Sequence, residues 1–330
     1  MPKILLTSPV TARKLYYGDA ALAGLRKLGE VKLNETDESW SPQQMIEAAG
    51  DCDVIVSYRQ SAGPAEVFDS LPGLVAFVRC AVDIRNIDVP AASRNFVLVT
   101  QASAGFVPAV AEQTVGFMVD LARRITQSAM LYRRGEVPRP EMGVQLRGNT
   151  LGVIGYGAIG RYLCDLGVAL GMKVLVADPF AKVTKHAIKQ VELAALLEQA
   201  DFVVCLAVAN EQTENLIDTA AFARMKPTAF FINMSRGNLV DEAALEAALR
   251  QGRIAGAAMD VGRDPDQMPS PSLAALDNVI ATPHSAGLTP EAAFHQSLET
   301  VRQVAEIVKG RTPPGAVNAE HAKRLGKFRR

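Results

Sequence analysis

Short apolar runs recur along the chain, each followed by a segment with helical spacing. The runs are KILLT, DVIVSY, LVAFVR, FVLVT, LGVIG, KVLVA, DFVVCLA, AFFINM, AGAAMDV and NVIAT. Runs this short with almost no polar alternation fit strands covered on both faces, and strands separated by helices fit parallel sheets. The segments 42–49, 65–70, 185–199 and 242–251 carry amphipathic helical spacing. A chain of 330 residues is long enough for two domains of roughly 100–200 residues each. The expected fold class is therefore α/β, with two doubly wound Rossmann-like domains, parallel sheets and a cleft between them. The run PAVAEQTVGFMVDLARRITQSAMLYRRG, 108–135, predicts one long helix near 109–132, either crossing between domains or forming a subunit contact.

Composition excludes several classes. Lys+Arg and Asp+Glu both number 35, so no net field draws the chain to nucleic acid or to an anionic membrane. The basic tail HAKRLGKFRR reads as a solvated terminus. Cys52, Cys80, Cys164 and Cys205 are widely spaced without a C-x-x-C pair, which fits reduced thiols in a cytoplasmic protein. The apolar stretch in MPKILLTSPV is too short for a signal peptide, and no run approaches the ~18 apolar residues of a membrane span. His186, His295 and His321 have no ligand-spaced partner, so no metal site is expected.

The segment LGVIGYGAIGRYL sets Gly155, Gly157 and Gly160 as G-x-G-x-x-G between a strand and a helix. The first glycine permits a tight turn, the second lets backbone approach a pyrophosphate, and the third lets helix and strand pack closely. The N–H groups of Ala158 and Ile159 would face the phosphates at the positive end of the helix dipole. A second strand, KVLVAD, ends in Asp178, where a carboxylate accepts ribose hydroxyls and repels the additional phosphate of NADP. These features predict an NAD site. The nearby Lys182 and Lys185 are the features that argue for NADP.

Three further strands end in polar stretches, FFINMSRGNLVDEAAL, AGAAMDVG and NVIATPHSAG. Ligands bind at the carboxyl ends of strands in open α/β sheets, so Arg236, Asp260 and His284 are expected to converge there. With NIDVPAASRNFVLV and AVAEQTVGFMVDLARRI upstream, the sequence resembles the D-isomer-specific 2-hydroxyacid dehydrogenases over about residues 50–318. The resemblance implies a discontinuous substrate domain, 1–102 with 290–330, and an NAD-binding domain, 103–289; the long helix near 109–132 is expected to build a homodimer. It implies NAD-linked interconversion of a D-2-hydroxy acid and its 2-keto acid. His284 would be the acid/base, Arg236 would polarise the substrate, and Asp260 would lie at the nicotinamide end. Imidazole suits proton transfer near neutral pH, and guanidinium suits a carboxylate and carbonyl oxygen.

The sequence departs from the family in two places. A glutamate normally partners the histidine, orienting the ring and favouring its charged form. Here its position is Pro265. Asp266 is the first choice for the role, Asp264 the second, and the absence of any carboxylate partner is the third reading, with Gln267 then offering a neutral bond. On the substrate side, Arg59 in SYRQSAG matches a loop that lies over the substrate in the family. Cys80, Ala81 and Val82 stand where glycines are usual, and Ala81 and Val82 are the candidates for binding the substrate carboxylate through backbone. Arg79 and Arg85 add positive charge nearby. Two other functions stay open: a non-catalytic NAD(H) sensor or scaffold, and a formate dehydrogenase-like enzyme.

Overall fold

A computed structural model describes residues 1–329. The chain forms two compact units, Met1–Phe106 with Thr289–Arg330, and Val107–Leu288. In the first unit β1 (Lys3–Leu6), β2 (Glu30–Leu33), β3 (Val54–Ser57), β4 (Ala76–Arg79) and β5 (Leu98–Thr100) form a parallel sheet in the order β2-β1-β3-β4-β5. Its two faces carry separate cores. Ile4, Leu6, Val54 and Val56 pack with residues of the helices Asp19–Arg26 and Pro290–Ile307. Leu5, Ile55, Phe77 and Val99 pack with residues of Pro42–Ala49, Ala65–Ser70 and Val89–Arg94. Both faces being covered explains why these strands read as unbroken apolar runs.

The second unit holds β6 (Thr150–Ile154), β7 (Lys173–Ala177), β8 (Ile188–Gln190), β9 (Phe202–Cys205), β10 (Phe230–Asn233), β11 (Gly256–Met259) and β12 (Val279–Ala281). All pair parallel in the order β12-β11-β10-β9-β6-β7-β8. Strand order reverses between β6 and β9, which puts the ends of both at a topological switch point, the place where such sheets take ligands. Among the described residues no helix is long and apolar enough to cross a membrane.

The structure departs from the sequence reading at two strands and two helices. β2 and β8 are edge strands whose residues are partly exposed and polar, so no apolar run marks them. Because Ile188–Gln190 pairs with β7, the helix expected over 185–199 begins only at Leu193. The single helix expected near 109–132 is two, Val107–Arg123 and Ile125–Arg133, divided at Arg124 with φ 53°. Asp120 Oδ1 accepts from the Thr126 N–H at 2.8 Å, so the carboxylate caps the restart that the left-handed residue makes necessary.

Cys164 and Cys205 are wholly buried, and burial pushes both thiols up to about 12. The thiolate is the reactive species. Neither should react with a thiol reagent at pH 8 in the native protein, and both should react in denaturant. Mass spectrometry of the labelled chain distinguishes the outcomes; rapid native labelling of either would contradict this packing.

Candidate active site

The glycine loop links β6 to the helix Ala158–Ala169. Gly155 has φ +100°, and a Cβ there would lie 2.6 Å from the Leu206 carbonyl oxygen. A Cβ on Gly160 would lie 2.2 Å from the Gly155 carbonyl oxygen, so the helix seats against the strand end only without a side chain. Gly157 meets nothing within 4 Å and is exposed, as is Ala158. The result is open space above a helix N-terminus, which fits a dinucleotide pyrophosphate.

Asp178 follows β7 and is half-buried. Its Oδ2 accepts from the Tyr156 N–H at 2.7 Å, and its Oδ1 accepts from the N–H groups of Phe180 and Ala181, both at 2.8 Å. Burial pushes this carboxyl up, but the three N–H donors and Arg161 outweigh it and hold it below the ordinary value. A carboxylate has about four acceptor sites, and three are taken, so a single ribose hydroxyl fits better than the pair expected from sequence. Lys185 is committed to Asp165 at 2.6 Å, whereas Lys182 is exposed.

Asp260, one residue beyond β11, is 2 % exposed. Its Oδ1 accepts from Thr282 Oγ1 at 2.5 Å, the Ser285 N–H at 2.9 Å and Gln113 Nε2 at 3.3 Å; Oδ2 accepts from the Ala286 N–H at 3.0 Å. Gln113 also donates to Thr282 Oγ1 at 2.8 Å. The carboxylate therefore holds both sides of the turn that carries His284. That residue sits at φ 51°, a conformation disfavoured for a side chain with Cβ.

His284 Nδ1 lies 2.7 Å from the main-chain oxygen of Asp266. A carbonyl only accepts, so Nδ1 carries the proton and the neutral ring keeps its lone pair on Nε2. This corrects the expectation of a carboxylate partner. Asp266 is the contact, but through its backbone, and its side chain is exposed. No described carboxylate bonds to the ring. The cause lies in the loop. Asp266 and Gln267 both have positive φ, 58° and 61°, and bonds from Gly262 N–H to Gln267 O and from Asp264 N–H to Met268 O close the segment. The turn aims a peptide oxygen at the imidazole. Gln267 does not serve the ring either, because its Oε1 accepts from the Gly237 N–H at 3.3 Å.

Arg236 follows β10 and caps the short turn Gly237–Leu239. The buried Asn233 braces it: Nδ2 donates to the Arg236 carbonyl at 2.9 Å, and Oδ1 accepts from the Ser235 N–H at 3.2 Å. A Cβ on Gly237 would lie 2.0 Å from the Gly262 carbonyl oxygen. That close approach places the arginine turn against the loop that holds His284. The second unit thus brings Arg236, Asp260, His284 and the Asp266 carbonyl into one connected assembly.

Arg59, Ala81 and Val82 belong to the first unit. Arg59 is exposed, and no described acceptor takes its guanidinium. Ala81 is buried, and its carbonyl accepts from the Ala102 N–H at 3.0 Å. Arg85 is paired with Asp83 at 2.6 Å.

Residues 115–286 match the family described as D-isomer specific 2-hydroxyacid dehydrogenase, NAD binding domain. The chain belongs to the D-isomer-specific 2-hydroxyacid dehydrogenase family. The matched residues lie within the second unit. The chain is 32% identical to the D-3-phosphoglycerate dehydrogenase of Methanocaldococcus jannaschii, over 100% of its own length and 62% of the relative. It spans 58–62% of the length of three such phosphoglycerate dehydrogenases. It is 30% identical to the glyoxylate reductase of Korarchaeum cryptofilum, over 98% of this chain and 97% of that one. The solved D-lactate dehydrogenase with NAD+ from Lactobacillus jensenii superposes with a TM-score of 0.83 at 28% identity, covering 96% of this chain and 99% of the other.

Within this dehydrogenase fold, sequence reasoning missed Gln113, Thr282 and Asn233. Gln113 lies in a helical stretch read only for its apolar stripe. A polar residue near that stripe was the available signal. Thr282→Val removes one donor from a buried carboxylate. The variant should lose about 1.5–3 kcal/mol in urea unfolding; a loss below about 0.5 kcal/mol would show that the bond contributes little to stability.

Proposed function

We propose that this chain catalyses NAD(H)-linked interconversion of a D-2-hydroxy acid and its 2-keto acid, with His284 as acid/base. The observation that carries the reading is the His284 Nδ1–Asp266 carbonyl bond at 2.7 Å. It leaves Nε2 with the lone pair that can take a proton, on a ring fixed beside the Arg236 turn. In the oxidising direction Nε2 takes the hydroxyl proton; in the reducing direction the imidazolium returns it to the oxygen. Arg236 presents planar donors to the substrate carboxylate and carbonyl oxygen. Asp260 serves by holding the histidine turn. NAD, when bound, supplies the hydride acceptor or donor. Gly155, Gly157, Ala158, Ile159 and Gly160 would hold its pyrophosphate and Asp178 one ribose hydroxyl.

On the substrate side, Arg59 and the backbone of Ala81 and Val82 would bind the carboxylate. The relatives named above act on small 2-keto or 2-hydroxy acids by name, which supports this substrate class. Ile125, Tyr132, Val137 and Met142 expose large apolar surface at and after the divided helix, which supports a homodimer through this region. Buried, unpaired thiols suit a reducing compartment such as the cytoplasm.

NADH oxidation with a panel of 2-keto acids tests the reaction. Binding of NADH without turnover would favour a sensor, and NAD reduction by formate alone would favour the formate reading. His284→Gln should lower reduction by about 10²–10⁴-fold while NADH binding is retained. Asp266→Asn and Asp264→Asn should leave the alkaline limb of the pH–rate profile in place, since the peptide oxygen remains. A displaced limb in either variant would show a carboxylate acting on the ring.

A further inference from the structure

Arg79, the last residue of β4, is 0% exposed. Its guanidinium gathers carbonyls from one loop. Nη1 donates to the oxygens of Tyr58 and, at 2.8 Å, Arg59; Nη2 donates to Ser61 O at 3.1 Å and Asn86 Oδ1 at 2.6 Å. Asn86 Nδ2 then donates to the same Arg59 carbonyl at 3.2 Å. From the other side, Thr7 Oγ1 accepts from the Tyr58 N–H and meets Ser61 Oγ, both at 2.8 Å. The backbone of 58–61 is thus fixed at several points, while the Arg59 side chain stays exposed.

Such an arginine is costly to the fold. Burial pulls it down to about 10, and Asp83 only partly offsets this. Among the described residues its Nε meets no hydrogen-bond partner, nor does Ser57 Oγ, opposite it in the β3–β4 register. An apolar residue here would avoid that cost but leave the acceptors on Tyr58, Arg59, Ser61 and Asn86 without this donor. The forked geometry of arginine is what a lysine or an apolar side chain lacks.

We propose that Arg79 is a positioning residue for the substrate: it fixes the 58–61 loop and thereby presents the Arg59 guanidinium to the anionic end of a 2-keto acid. The inference rests on the reading of Arg59 as a substrate contact. Arg79 itself touches no substrate, so its effect passes through Arg59.

A double-mutant cycle on the full chain tests this, with steady-state reduction of a 2-keto acid by NADH as the readout. Arg59→Ala should raise KM for the keto acid about 10- to 100-fold, the range of one lost charge-assisted hydrogen bond. Arg79→Lys should raise the same KM while kcat and NADH affinity stay within about twofold. In the Arg59→Ala background Arg79→Lys should have no further effect on KM. If Arg79→Lys does not fold, Asn86→Ala loosens the same carbonyl and takes its place in the cycle. Equal KM effects in both backgrounds, an unchanged KM in the parent, or a fall in kcat alone would overturn the proposal. An unaltered KM in Arg59→Ala would remove it together with the Arg59 contact and leave the reaction standing. Absence of turnover in the parent with every keto acid would remove the reaction as well.

Discussion

The Asp260 carboxylate accepts from Thr282 Oγ1, Gln113 Nε2 and the Ser285 and Ala286 N–H groups, so a helix and both sides of a turn end on one buried charge. An ionised carboxylate away from water is tolerated only when its acceptor sites are filled. Filling them here fixes the turn in one geometry. That constraint lets His284 hold a left-handed backbone conformation that a free turn of this sequence would abandon. With the turn fixed, a single peptide oxygen is enough to orient the ring. Arg236 is held by an equivalent local device, the Asn233 side chain.

The two units solve the same physical problem with opposite charges. In each, a parallel sheet ends in loops that must carry polar side chains outward without collapsing. The second unit places a buried anion beyond β11 and surrounds it with donors. The first places a buried cation at the end of β4 and surrounds it with carbonyls. A charge of either sign fixes several backbone groups at once, because charge-assisted bonds are stronger than neutral ones. Close backbone approach does the remaining work. Gly237 against Gly262 and Gly160 against Gly155 are contacts that any Cβ would separate.

The central strands were legible because burial on both faces leaves a continuous apolar signature. β2 and β8 were not, because polar residues interrupt them and they are partly exposed, whereas the other two edge strands, β5 and β12, keep an apolar run. The division of the helix at Arg124 was also hidden: its apolar stripe continues through the break, and only the capping bond from Thr126 to Asp120 marks it. Asp266 shows the same limit at the site. Its place in the chain was read, but the side chain was expected to act and the peptide oxygen does. One-dimensional spacing shows which residue is near and not which of its atoms faces the partner.

The sequence by itself determined the α/β class, the glycine turn, Asp178 and the strand-end motifs, since each depends on local periodicity or on a residue type that only one backbone shape admits. Tertiary structure alone decided that Asp178 is largely satisfied by its own loop, that Asp260 holds the histidine turn, and that His284 leans on a carbonyl. Those outcomes depend on hydrogen-bond donors and acceptors brought together from segments up to 169 residues apart. Which of them meet is set by how the strands stack, and no local pattern records it.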